Sequence, residues 1–225
     1  SGRLEIALKD VDKAARLMLE IGIEGTEWKN RWSIWVYPVI EKMPEQGLVL
    51  TAHLEEALEA LKQGKKVLLS PQKEEIAGLE GKFLPVFWSP VHFPKQAGTM
   101  GLLCNPQHAA FEHFPTEMHS DWQWWNLAKH SRVMVMDSIT TVTPIVESVD
   151  NFTNNRRLAS IFEAKCGEGK LLMSSMELLS ENQDMLEVRQ MLYSLLVYMQ
   201  SDKFVPSGEI SEKSLSFLLY PSFSI

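Results

Sequence analysis

The stretch LVLTAHLEEALEALKQGKKVLLSP, residues 48–71, decides the class of fold. Leu48, Val49 and Leu50 form a short apolar run, after which Leu54, Ala57, Leu58 and Leu61 recur at the helical spacing i, i+3, i+4, i+7. Glu55 and Glu56 suit the positive end of the helix dipole, and Gly64 stands just past the last apolar position, where a left-handed residue closes a helix. The apolar run resumes at Val67, Leu68 and Leu69 and stops at Pro71. Strand, helix and strand in so short a span make a βαβ unit, and uninterrupted apolar strands are those of a sheet covered on both faces. The expectation is an α/β fold with a mostly parallel sheet flanked by helices.

Immediately upstream, Glu41 to Gly47 is polar and punctuated by Pro44 and Gly47, which makes it the best domain boundary and divides the chain into residues 1–40 and 41–225. In the first part Leu17, Leu19, Ile21 and Ile23 alternate with Met18, Glu20, Gly22 and Glu24, as a half-buried strand does. Val11, Ala14, Ala15, Met18 and Leu19 would also fit a helical stripe. The turn-like Gly25 and Thr26 and the strand-like run from Trp32 to Tyr37, stopped by Pro38, favour a small antiparallel β unit over residues 4–37.

Downstream, residues 74–118 read mostly as loop, with one short helix capped by Asn105 and opened by Pro106. A second short helix follows Ser120 or Asp121 and runs to Lys129, and a buried strand covers residues 133–137. Further strands are expected at 144–149, 158–165 and 170–175, the last two joined as a hairpin at Gly167 to Gly169. Asp184 with Glu187 caps the clearest helix, whose stripe is Val188, Met191, Leu192, Leu195, Leu196 and Met199. From Ser201 onward the sequence reads as a loosely packed end.

The 225 residues carry a formal net charge of −7, so the overall field does not attract a phosphate backbone, and no nucleic-acid partner is expected. No stretch approaches the roughly 20 uninterrupted apolar residues of a spanning helix, so no membrane partner is expected. The two cysteines, Cys104 and Cys166, are too few for a disulfide framework or a four-cysteine zinc site. The sequence opens Ser1-Gly2-Arg3, without a signal peptide's charged and apolar regions, as a piece cut from something longer would.

A nucleophilic hydrolase on such a sheet places Ser or Cys on a strained Gly-x-Ser-x-Gly or Gly-x-Cys-x-Gly elbow, and neither pattern occurs. The close glycine pairs Gly78 with Gly81 and Gly167 with Gly169 do not open helices, so no phosphate cradle and no nucleotide cofactor is expected. The densest unusual feature is FPTEMHSDWQWW, residues 114–125. Glu117, His119 and Asp121 alternate there, which in an extended segment directs all three to one side. Without a His-x-x-x-His pair on a helix, a local hydrogen-bonded network is the better reading than a metal centre. Trp122, Trp124 and Trp125 stand beside Gln123, Asn126, Asp121 and His119, flat apolar faces next to hydrogen-bonding groups, the mixture that a sugar ring takes. The same tryptophans could instead fill the space between sheet and loop. Asn151-Phe152-Thr153 matches the glycosylation sequon, as a chance match does.

Residues 30–38 (NRWSIWVYP), 84–89 (LPVFWS), 98–102 (GTMGL), 114–125 and 149–152 (VDNF) together resemble the C-terminal region of large bacterial glycoside hydrolases of the family 2, β-galactosidase-like, type, over most of residues 20–200. In such enzymes the catalytic carboxylates lie in a separate (β/α)₈ barrel, which this chain is too short to contain. The resemblance implies an accessory region: the end of a β-sandwich, then a domain of class I glutamine amidotransferase-like or flavodoxin-like fold. The amidotransferase's Cys–His–Glu machinery has no matching positions here. It also implies a secreted or periplasmic parent.

The first expectation is thus a noncatalytic accessory domain, structural or glycan-binding, with no cofactor and no metal. Its partners would be other domains of the same polypeptide and an oligosaccharide. Ligands of doubly wound sheets sit beyond the carboxyl ends of the strands, here the loops after Ser70, Asp137 and Asp150, and the ligand-binding residues expected are His119, Asp121, Trp122, Gln123, Trp124, Asp150 and Asn151. A second is a stand-alone hydrolase of sugar esters or glycosides using Glu117, His119 and Asp121. A third is an interdomain spacer or oligomerisation module.

Overall fold

Alternation along residues 15–36 yields a two-stranded hairpin, β1 (Ala15–Gly22) and β2 (Lys29–Val36), paired antiparallel from Ala15 with Val36 to Gly22 with Lys29. The structure, a computed structural model, describes residues 5–9, 11–82, 92 and 98–219. With a side-chain period of two, the register puts Leu17, Leu19, Ile21, Trp32 and Ile34 on one face. Arg16, Glu20, Arg31, Ser33 and Trp35 share the other, where Glu20 accepts from Lys29 Nζ at 2.8 Å and Arg31 Nε at 2.6 Å.

The rest of the chain adds, in order, β3 (Leu48–Thr51), α1 (Leu54–Lys62), β4 (Lys66–Leu69), β5 (Gly78–Glu80), β6 (Thr99–Cys104), α2 (Trp125–Lys129), β7 (Arg132–Val135), β8 (Pro144–Asp150), β9 (Leu158–Cys166), β10 (Gly169–Ser174), α3 (Leu186–Gln200) and α4 (Glu212–Leu219). The eight strands β3 to β10 form one sheet with β9 as its hub, paired to β10, β7 and β8. Beyond β10 lie β4 and then β3, while β5 extends β7 and β6 extends β8. The βαβ expectation holds, since β3 and β4 are parallel and joined by α1.

Alternate residues of the central strands feed two cores. Val67, Leu69, Leu171 and Met173 pack with α1 and with Leu215, Leu218 and Leu219 of α4. Leu68 and Leu172 pack on the opposite face with Leu127 of α2 and Val188, Met191, Leu195 and Leu196 of α3. This is the helix–sheet–helix layering that doubly apolar strands demand.

The sheet is mixed, which corrects the mostly parallel expectation: β3–β4 and β4–β10 are parallel, and the five remaining pairings among the described residues are antiparallel. A parallel pair needs a crossover of a dozen or more residues, and the short connections β8–β9 and β9–β10 leave no room for one. β5 and β6 emerge from a stretch expected to be loop. β5 lies so close to β7 that a Cβ at Gly78 would stand 2.0 Å from the Val133 carbonyl oxygen. Asn105 accepts from Gln107 N in a turn, and the helical turn begins at Ala109 with the His108 ring accepting from Ala110 N. Asp184 does not cap α3, which starts at Leu186 with no side-chain cap. The tail is not loose either: Phe204 is buried, and Ser211 Oγ accepts from Ser214 N at the start of α4. The 84–89 motif and residues 220–225 lie outside the described residues.

Candidate functional site

Residues 118–120 lie along the edge of β6 that β8 leaves open. Cys104 N donates to the Met118 carbonyl at 3.0 Å and Ser120 N to the Leu102 carbonyl at 3.1 Å, around a bridge between Leu103 and His119. The segment is therefore extended, and the alternation of Glu117, His119 and Asp121 does bring all three to one cleft. Asp121 then starts a helical turn, its Oδ1 accepting from Gln123 N at 3.1 Å. That turn holds Trp122 outward.

The charged face of the hairpin forms the opposite wall. Arg16, Ser33 and Trp35 meet Glu117, His119, Asp121 and Trp122 across a cleft of about 420 Å³. Three bonds pin the walls together. Arg16 Nη1 donates to Glu117 Oε1, Trp35 Nε1 donates to Asp121 Oδ2 at 3.0 Å, and Tyr37 Oη donates to Gln123 Oε1 at 3.0 Å. Burial raises the Asp121 carboxyl above its ordinary value in spite of the bonds from Gln123 N and Trp35 and the nearby Arg16 charge. Burial also raises Tyr37, which keeps the phenol a donor. Beneath the cleft, Cys104 Sγ donates to the Glu117 carbonyl at 3.3 Å, and burial pushes its pKa up to about 11. Such a thiol is not a nucleophile near neutral pH.

The seven expected ligand residues divide. His119, Asp121 and Trp122 line the cleft, and Trp122 is 78% exposed, touching Trp125 edge-on with ring centroids 6.1 Å apart. Gln123 and Trp124 do not line it. Gln123 is buried, bridging Tyr37 and the Pro115 carbonyl. Trp124 is fully buried, edge-on to Phe111 and Phe114, its Nε1 donating to Thr116 Oγ1 at 2.8 Å. The turn over Trp122–Trp124 is 3₁₀, with about three residues per turn, so side chains two positions apart diverge by about 120° and these two tryptophans do not share a face.

Asp150 and Asn151 are elsewhere and occupied: Asp150 holds Arg156 at 2.8 Å, and Asn151 Oδ1 accepts from Thr153 N and Asn154 N. Groups at the carboxyl ends of the strands are engaged as well. Ser70 Oγ accepts from Leu178 N, Asp137 Oδ1 accepts from Arg157 N, and the gap lined by His53, Glu75 and Leu219 has a volume of about 30 Å³, room for about one water. Among the described residues no group of three His, Cys, Asp or Glu side chains could hold a metal ion.

The cleft's missed half is Arg16, Ser33 and Trp35. Their signal was parity, since an aromatic and a guanidinium occupy the hairpin positions that the apolar alternation assigns to the solvent side.

The cleft sits where two family matches meet. Residues 48–220 match the model of a domain of unknown function, DUF8487. The chain belongs to the DUF8487 family. Residues 1–38, which include the hairpin, match a second domain of unknown function, DUF8488. No curated protein matches the chain. The cleft is thus lined by side chains from both matched regions, Arg16, Ser33 and Trp35 from one and Glu117, His119, Asp121 and Trp122 from the other.

Proposed function

We propose that this DUF8487 chain is a noncatalytic accessory unit that binds an oligosaccharide in the cleft between hairpin and sheet, within a secreted or periplasmic glycoside hydrolase. The observation that carries the reading is Trp122, a large apolar ring held 78% exposed beside Asp121, His119 and Arg16. An indole face takes the C–H face of a sugar while the neighbouring groups take its hydroxyls. Binding is favoured over hydrolysis because both carboxylates already have structural partners, Glu117 in Arg16 and Asp121 in Trp35 and Gln123 N. The parent enzyme rests on the motif resemblance alone. Intrinsic tryptophan fluorescence during titration with an oligosaccharide panel tests the reading: saturable quenching by one glycan class, abolished in Trp122→Ala, is expected. A flat response across the panel overturns it.

A second reading, docking against other domains of the parent polypeptide, is favoured by the hairpin's outer face. Ile21, Trp32 and Ile34 are all exposed there, and two strands alone are marginal in water. Light scattering tests whether that face is adhesive, with a mass that rises with concentration and returns to the monomer's in Trp32→Lys.

A further inference from the structure

The side chains that face the cleft belong to a row that does not end at His119. Leu103 stands opposite His119 at the bridge between β6 and residues 118–120, and opposite Glu147 in the β6–β8 ladder, so the three side chains point to one face of the sheet. We propose that the cleft continues along this row as a second carbohydrate subsite, in which a following neutral ring of the same glycan rests on Leu103 and one of its hydroxyls donates to the Glu147 carboxylate. The inference rests on the carbohydrate reading of the cleft and extends it.

The bonds from Cys104 N to the Met118 carbonyl and from Ser120 N to the Leu102 carbonyl enclose Leu103 and His119 as a pair not hydrogen-bonded to each other. Such pairs bring their Cα atoms within about 4.5 Å and their side chains closest together. His119 Nδ1 lies 3.2 Å from the Ser120 carbonyl, an acceptor only, so the neutral ring carries its proton there and offers Nε2 as an acceptor. Next to it Leu103 is 41% exposed, an apolar surface beside the cleft's polar groups, and Glu147 is exposed beyond it. The Glu147 carboxylate has no hydrogen bond or ion pair among the described residues, unlike those of Glu117 and Asp121, which Arg16 and Trp35 hold. A sugar hydroxyl that reaches Glu147 therefore meets a charged acceptor with no protein donor to displace, and hydrogen bonds to charged groups are the stronger kind. Two positions back along β6, on the same face, Gly101 stands opposite Val149, so no β6 side chain flanks Leu103 on that side. From residues 118–120 to β8 is two strand spacings, about 10 Å, farther than one pyranose ring reaches, so the row takes a chain of rings. Charge limits that chain: Arg16 is engaged by Glu117, and the remaining carboxylates of Asp121 and Glu147 repel an anionic sugar.

The test is an NMR titration of the chain, labelled with ¹⁵N and with ¹³C at its methyl groups, using three matched pairs: D-galactose and β-1,4-galactobiose, D-glucose and cellobiose, and D-xylose and xylobiose. With at least one pair the monosaccharide is expected to move the Trp122 indole signal alone. Its disaccharide should move that signal together with the Leu103 methyls and bind about tenfold more tightly, as one further hydrogen bond to a charged acceptor gives. Glu147→Ala, a change at an exposed position, should return the disaccharide's affinity to the monosaccharide's, and Trp122→Ala should abolish binding of both. Disaccharides that move the Trp122 signal but not the Leu103 methyls, or that keep their advantage in Glu147→Ala, overturn the extension and leave the cleft reading standing. Leu103 shifts that persist unchanged in Trp122→Ala mark a site separate from the cleft and likewise overturn the extension. No shift of the Trp122 signal with any of the sugars overturns the cleft reading and the extension with it.

Discussion

Replacing Trp124 by Phe separates core from site. The residue is fully buried, with Phe111 and Phe114 packed edge-on at 6.0 and 5.3 Å between centroids and Thr116 Oγ1 accepting from its Nε1 at 2.8 Å. The smaller ring forfeits that hydrogen bond, about 1 kcal/mol net. It also vacates the pyrrole half of the indole, equivalent to roughly two methylenes at about 0.8 kcal/mol each. The expected loss is therefore about 2 to 3 kcal/mol, which for a chain of this size lowers Tm by about 4 to 12 °C. Urea unfolding followed by far-ultraviolet circular dichroism, which does not depend on the removed fluorophore, reads the change as a shift in midpoint at unchanged m. Trp122→Phe, at an exposed position, is the matched control and should stay within about 0.5 kcal/mol of the parent. Equal midpoints for the two variants would refute the assignment of Trp124 to the core.

Asp121→Asn probes the raised carboxyl: since burial lifts the native pKa above the ordinary 3.8, the ionised form costs stability as pH rises through and beyond that range. The Asn variant should gain on the parent between about pH 4 and pH 7 in thermal melts, although it keeps fewer acceptors for the hairpin. Tyr198 Oη donates to Glu163 Oε2 at 2.6 Å, and burial already raises Glu163, so Tyr198→Phe should cost about 1–3 kcal/mol in urea melts at neutral pH. Protonating Glu163 in mild acid should recover part of that loss. A Cβ at Gly169 would lie 2.8 Å from the Leu61 and Lys65 carbonyl oxygens, so Gly169→Ala should lose about 1–3 kcal/mol by the same assay, with the β9–β10 turn pushed away from α1.

Much of the central fold was legible because local chemistry and tertiary demand agree there. Residues 48–71 are apolar where strands must be covered twice and periodic where a helix lies on one face, so their reading needed no knowledge of the rest of the chain. The direction of the other strands was not legible. Parallel and antiparallel partners of a buried strand look alike in composition, and connection length is what distinguishes them. The short strand β5 was missed because three residues at Gly78–Glu80 carry no period, and only the close approach of β7 makes them a strand.

For the candidate site, the sequence by itself determined the alternation of Glu117, His119 and Asp121 and the concentration of aromatics around them. The tertiary structure decided which of those aromatics faces water and what stands across from them. A helical turn sends Trp124 inward and Trp122 outward, and a hairpin some 85 residues upstream supplies the other wall: Trp35 and Asp121, 86 positions apart, meet at 3.0 Å. Local pattern fixes the direction of a side chain relative to its own backbone, whereas the partner across a cleft depends on how distant segments pack, and no local period encodes that.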